Sequence, residues 1–163
     1  MKSLVWLRND LRLDDNPAMR NAFTQSKSVH VLYLYSKKQL QLHNESDIKI
    51  SFLIENLKDL ENSLDQLNVG LTIIETNGFS SDAEELLKFF EDNNFNKLFF
   101  NNTFGVDENN RDAEIIKLFK DKNYDFEHFD DQILFKPGFI KTNEGKPYSV
   151  FTPFKRKWLE FFN

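Results

Sequence analysis

Apolar residues in this chain gather into short continuous runs: Leu4-Val5-Trp6-Leu7, Val29-His30-Val31-Leu32-Tyr33-Leu34-Tyr35, Leu71-Thr72-Ile73-Ile74 and Lys97-Leu98-Phe99-Phe100. Runs of four to seven residues without polar alternation are the mark of strands covered on both faces, as in a parallel sheet. A fifth strand is expected over Asp125 to Phe129. The segments between them follow helical spacing. Asn16-Pro17 combines a capping side chain with a residue suited to the first helical position, and predicts a helix running to about Gln25. After Asp47, Leu53, Leu57, Leu60, Leu64 and Leu67 recur every three or four residues and lie on one stripe, with Gly70 just past the helix end. Ser81 and Glu84 have capping-box spacing ahead of Ala83, Leu86, Leu87 and Phe90. Asp107 is positioned to cap a fourth helix with Ala113, Ile116 and Phe119 inward, and Thr152-Pro153 opens a fifth.

The alternation predicts an α/β fold: a doubly wound, Rossmann-like five-stranded parallel sheet with helices on both faces. Ligands of such sheets bind beyond the carboxyl ends of the strands. Chemistry is therefore expected in Arg8 to Asn16, Ser36 to Lys49, Thr76 to Ser80 and Asn101 to Asn109.

At 163 residues the chain can hide roughly 70% of its unfolded surface, so one substantial core is available. Eighteen Phe against two Trp and four Tyr make that core rich in phenylalanine. No cysteine is present, which removes disulfides, thiolate metal sites and a cysteine nucleophile. The first apolar run stops at Arg8, too early for a secretory h-region or a membrane span, so a cytoplasmic protein with no membrane association is expected. A balance of 21 basic and 26 acidic residues argues against nonspecific DNA binding by this chain itself. The Lys155-Arg156-Lys157 run reads as a solvated helix face.

The first strand-to-helix turn lacks the glycines that let a backbone approach a pyrophosphate, and no P-loop occurs anywhere, which weighs against a nucleoside triphosphatase. The turn carries Arg8-Asn9-Asp10-Leu11-Arg12-Leu13-Asp14-Asp15 instead. Two readings of this alternation stand: a local ion-pair network that stiffens the loop, or a polar rim around a planar ligand. The three histidines, scattered among carboxylates, show no metal-ligand spacing.

This same stretch, extended to Trp6-Leu7-Arg8-Asn9-Asp10-Leu11-Arg12-Leu13-Asp14-Asp15-Asn16-Pro17-Ala18, resembles the opening signature of the photolyase/cryptochrome family. Lys49 to Leu57, Phe99-Phe100-Asn101, Val106-Asp107-Glu108 and Val150-Phe151-Thr152-Pro153-Phe154-Lys155 with Trp158 extend the resemblance in order along nearly the whole chain. The last of these is most similar to the cyclobutane-dimer photolyases of bacteria.

The resemblance implies an antenna-chromophore domain over residues 1–150. Residues 151–163 would then begin the connection to a helical domain that binds FAD and damaged DNA, and repair would be blue-light-driven electron transfer in that other domain. The catalytic residues of such a parent lie outside this chain, so the fragment alone is expected to be inactive. Pterin-binding members hold methenyltetrahydrofolate with residues that match His43, Asp107 and Glu108. Here Asp107 stands where the family has Asn, exchanging an amide that can donate for a carboxylate that cannot. Glu108 suits the amino and ring N–H groups of a pterin, although an acidic residue in a first helical turn is also favoured by the macrodipole alone, by roughly 0.3–1 kcal/mol. Other members place a deazaflavin or FMN in a pocket whose matches include Asn9, Asp10 and Lys49, the last replacing the more usual Arg. The rival readings are a cryptochrome-type light sensor and an independent small-nucleotide-binding module. Phe154, Trp158, Phe161 and Phe162 form an apolar stripe near the chain end, from which weak self-association of the fragment is expected.

Overall fold

In the computed structural model, which describes residues 1–162, the chain crosses the sheet five times, always in the same direction. The strands are β1 (Lys2–Leu7), β2 (Ser28–Tyr35), β3 (Gly70–Glu75), β4 (Lys97–Asn101) and β5 (Asp125–Phe129), in spatial order β3-β2-β1-β4-β5. The register pairs Val5 with Val31 on one side and with Phe99 on the other. Winding outward from β1 in both directions puts the topological switch between β1 and β4, where doubly wound sheets open a crevice.

Alternate residues of the central strands feed two cores. Val5, Leu7, Val31 and Phe99 face α1 (Pro17–Gln25) and α3 (Asp47–Asp65), through Met19, Ala22, Leu60 and Leu64. Leu4, Trp6, Leu98 and Phe100 face α4 (Phe79–Asp92) and α5 (Val106–Asp121), through Leu86, Phe90, Ile115 and Phe119. The second core is the aromatic one: Phe90 meets Phe119 edge-on at 4.9 Å and Tyr124 at 5.1 Å. The edge strand β3 is less covered than its apolar run suggests, and Ile73 is 48% exposed.

Capping explains several boundaries. Asn16 accepts the Met19 N–H at 3.1 Å and Pro17 opens α1. Ser36 and Ser46 do the same work for α2 (Lys37–Leu42) and α3. Two expected caps are corrected. Ser81 lies inside α4, whose N-cap is Gly78, and its hydroxyl accepts the Asn77 N–H. Asp107 is the second residue of α5, whose N-cap is Gly105. The buried stripe of α5 is also shifted, to Arg111, Asp112, Ile115 and Phe119, leaving Ala113 exposed. Leu67 lies beyond the end of α3 and is exposed, and Gly70 is already the first residue of β3.

The exits of α2 to α5 share one device. Asn44, Asn68, Asn94 and Asn123 take positive φ between 50° and 56°, and the next residue donates its N–H back into the last turn: Val69 to Leu64, Phe95 to Phe90, Tyr124 to Phe119. This is the Schellman arrangement built on asparagine in place of glycine, and at α3, α4 and α5 an apolar contact accompanies it.

Contacts divide the chain into Met1–Asp131, which holds the whole sheet, and a second unit from Gln132 onward. That division falls earlier than residue 150, because residues 132–150 group with α6 (Phe151–Phe162). Within the second unit Phe135 stacks on Phe139 at 5.6 Å and meets Trp158 edge-on at 5.5 Å, while Trp158 stacks on Phe162 at 4.9 Å. No helix among the described residues is long and apolar enough to cross a membrane.

Candidate functional site

The carboxyl end of β1 is locked before it is functional. Asp10 accepts the Arg8 backbone N–H at 2.8 Å and the Asn101 amide at 2.6 Å. Asn101 also donates to Asn16 at 2.8 Å and accepts the Ala18 N–H at 3.1 Å. This buried polar knot ties the loop after β1, the start of α1 and the end of β4 together, so the groups beside it are held in place.

Beside the knot opens a cleft of about 580 Å³, within the size range of small-ligand pockets. All four segments singled out from the strand ends contribute to its walls. Arg8 and Arg111 place their guanidinium carbons 4.2 and 4.7 Å from the centre of the Trp6 ring, so two cations share one indole. Both arginines donate to Asp112 Oδ1, Arg8 Nη1 at 2.9 Å and Arg111 Nη2 at 3.2 Å, while Thr103 donates to Oδ2 at 3.2 Å. Arg111 further lies 3.7 Å from Asp82, which accepts the Thr76 hydroxyl at 2.7 Å.

Burial shows in the ionisation of these groups. Desolvation pulls Arg8 down to about 10, against the opposing pull of Asp112. It raises the Asp82 carboxyl above its usual range, with Thr76 and Arg111 acting the other way. Tyr33, on the cleft wall, is pushed up to about 12 by the same cause.

Of the six residues marked from the sequence, four line this one cleft: Asn9, His43, Lys49 and Glu108. His43 is exposed at the end of α2, and Lys49 in the first turn of α3 pairs with Glu45 at 2.6 Å. Glu108 folds back over Gly105, where a Cβ would overlap its carboxylate. Asp107 is exposed and lies off the lining, and Asp10 belongs to the locking knot. The two rival residue sets thus converge on shared space.

The alternating charges after β1 do not pair chiefly among themselves. Arg8 reaches Asp112 and Arg12 reaches Asp131 at 2.6 Å. The residues that sequence reasoning missed are Trp6, Asp82, Arg111 and Asp112. A signal existed: the apolar stripes of α4 and α5, traced back one turn, run into Asp82 and Asp112, so each helix turns charged at the same end of the sheet.

The sequence matches the DNA photolyase family over residues 3–163. The chain belongs to that family. It is 34% identical over 158 residues to the deoxyribodipyrimidine photo-lyase of Escherichia coli, covering 96% of this chain and 33% of that protein. It is 31% identical to the Vibrio cholerae photo-lyase, covering 98% of this chain and 34% of that one. A Synechocystis cryptochrome crystal structure superposes with a TM-score of 0.80 at 18% identity, covering 98% of this chain and 34% of that one, and so shares the fold. The chain spans about a third of the length of the curated photo-lyases it matches.

Proposed function

We propose that this chain is the light-harvesting domain of a deoxyribodipyrimidine photolyase, and that its cleft holds methenyltetrahydrofolate. The observation that carries this is the convergence of His43 and Glu108, from different helices, on one ligand-sized cleft. The donor and acceptor set suits the pigment: a carboxylate can take both the amino and the ring N–H of a pterin in a bidentate, charge-assisted pair. Bound there, the pigment would supply near-ultraviolet absorption and dipole coupling to a flavin. The chain's own work is placement: the Asp10, Asn16 and Asn101 knot fixes the strand ends beside the cleft. Repair of cyclobutane dimers in damaged DNA, with FAD, is assigned to the longer parent that the photo-lyase relatives represent.

A flavin-type pigment is the second reading, favoured by Asn9 and Lys49 on the same walls. Near-ultraviolet absorbance titration of the protein with methenyltetrahydrofolate separates the two. Glu108→Ala is expected to weaken binding by about 1.5–3 kcal/mol, the scale of a hydrogen bond to a charged group. Unchanged affinity in the variant would remove Glu108 from the site and shift preference to the flavin-type pigment.

A further inference from the structure

Asn77-Gly78 is the one Asn-Gly pair in the sequence, and it forms the turn between β3 and α4. An asparagine carboxamide can be attacked by the backbone nitrogen of the residue that follows it. That nitrogen is most available where its residue has no side chain and its N–H is not held in a hydrogen bond. Both conditions hold here. Asn77 is exposed, and its carboxamide makes no hydrogen bond among the described residues. The Gly78 N–H has no acceptor among them either. Gly78 is buried without being crowded: a Cβ built on it would meet only Ser36 Oγ, at 3.8 Å. The attack comes from the adjoining residue, so that burial does not bar it, and water is needed only at the exposed side chain.

The four helix exits are the internal contrast. Asn44, Asn68, Asn94 and Asn123 are followed by Glu45, Val69, Phe95 and Tyr124, whose N–H groups donate back into the helix at 2.9 to 3.1 Å. Reaction there would first have to break that bond and move a side chain aside, which calls for local unfolding. We infer that Asn77 is a self-modification site left open by this fold, which converts through a succinimide to aspartyl and isoaspartyl forms. The Gly78 nitrogen bonds to Asn77 Cγ, the Cγ–Nδ2 bond breaks, and the proton from the Gly78 nitrogen leaves on Nδ2 as ammonia. Water then opens either carbonyl of the ring. The net reaction consumes one water, releases one ammonia and leaves a carboxyl group that ionises at neutral pH.

The isoaspartyl product routes the main chain through the former side chain, which adds a carbon to the path between clamped neighbours. Thr76 donates its N–H to the Tyr35 carbonyl and its hydroxyl to Asp82, both at 2.7 Å. Asn77 donates its N–H to the Ser81 hydroxyl at 3.0 Å, and the Ser81 N–H reaches the Gly78 carbonyl at 2.9 Å. These bonds tie the end of β3 to the first turn of α4 across the reacting pair and cannot all survive the longer path. The aspartyl product keeps the path and adds a negative charge beside the amino end of α4, where the macrodipole favours it. The inference holds whatever the cleft binds.

The test holds the folded protein at mildly alkaline pH in 18O-labelled water and maps the products by tandem mass spectrometry, with an isoaspartyl methyltransferase as the probe for the isomer. A more acidic species is expected, with NH replaced by a single labelled oxygen at residue 77 and both product forms present. Asn77→Gln, whose ring would be six-membered, should abolish it. The four exit asparagines should react about tenfold or more slowly than Asn77. Hydrogen exchange in the first turn of α4 should quicken in the isoaspartyl form and stay near the parent's in Asn77→Asp, which carries the charge without the longer chain. Residue 77 remaining intact in the folded protein, while the urea-unfolded chain reacts there, would show that the fold shields it and overturn the inference. Equal rates at Asn77 and the exit asparagines in the folded protein would overturn it as well, since the engaged N–H groups would then give no protection.

Discussion

Helices α4 and α5 cover the same face of the sheet from end to end, and their two ends could hardly differ more. At the amino ends of the strands they close over Phe90, Phe95, Phe119 and Tyr124, and the Tyr124 hydroxyl donates to Glu91 at 3.0 Å. At the carboxyl ends the same helices contribute Asp82, Arg111 and Asp112, next to three donors with no hydrogen-bond partner among the described residues. Apolar burial stabilises roughly in proportion to the area covered and without a directional requirement. A buried ionic cluster costs desolvation that its pairing repays only with near-perfect geometry. On the proposed reading, the closed end carries the stability and the cleft end is kept polar for a ligand.

The largest test of that division is Asp112→Ala, which strands two buried guanidiniums and is expected to cost about 3–5 kcal/mol in urea unfolding. Phe119→Ala at the closed end should cost a similar amount, about 3–5 kcal/mol, through its cavity. The two separate when charge and partner are removed together. Arg8→Met, Arg111→Met and Asp112→Leu combined should return stability to near or above that of the parent sequence while abolishing pigment binding. If the triple variant is as unstable as Asp112→Ala alone, the cluster is part of the scaffold and the contrast between the two ends collapses.

A smaller effect probes the closed end alone. Asn94 and Asn123 hold φ of 54° and 55° where α4 and α5 stop. A Cβ residue without asparagine's local hydrogen bonding pays about 1–2 kcal/mol for that conformation. Alanine at either position should therefore lower thermal stability, and glycine should match or exceed asparagine. Pigment affinity should follow neither change. Alanine variants as stable as glycine variants would show that the Schellman exits contribute nothing here.

The sheet was legible in the sequence because its central strands are buried on both faces, which leaves continuous apolar runs, and the cap at Asn16-Pro17 needs only local chemistry. The six-residue helix α2 was not anticipated: it buries no residue and so has no stripe, and the pair Ser36 and Gln39 is its one trace. Ser81 and Asp107 look like caps because their side chains can cap, yet the chain enters those helices earlier, at Gly78 and Gly105. At the site, Asn9, His43, Lys49 and Glu108 were found from family resemblance. The Arg8 to Asp112 pair joins residues 104 apart, and no local pattern can show it.

The smallest expected effect lies at the closed end, where the His30 imidazole sits among the aromatics. His30 packs against Phe89 at 5.8 Å and Phe95 at 5.9 Å, and its Nε2 is 2.8 Å from the Thr72 hydroxyl. Its ring lies over Gly70 on the neighbouring strand, where a Cβ would collide with it. Burial first, and then the charge of Lys2, lower its pKa from 6.5, so the folded protein favours the neutral ring. With a folded value below the unfolded one, the unfolded chain binds the proton first as pH falls. The stability contributed by neutral His30 is therefore fully present above pH 6.5 and is lost as pH drops through the folded value. Asp82 at the cleft end has the opposite sign: its raised pKa favours the folded state below 3.8 and ceases to do so as pH rises through the folded value. The two ends thus respond to acid in opposite directions. His30→Gln, which can keep the bond to Thr72, should flatten the loss of stability just below pH 6.5 and leave the lower-pH behaviour unchanged. Urea midpoints measured across that range in both proteins decide it: parallel curves would mean that His30 is as free to protonate in the folded protein as in the unfolded chain, and that the closed end is wetter than its packing implies.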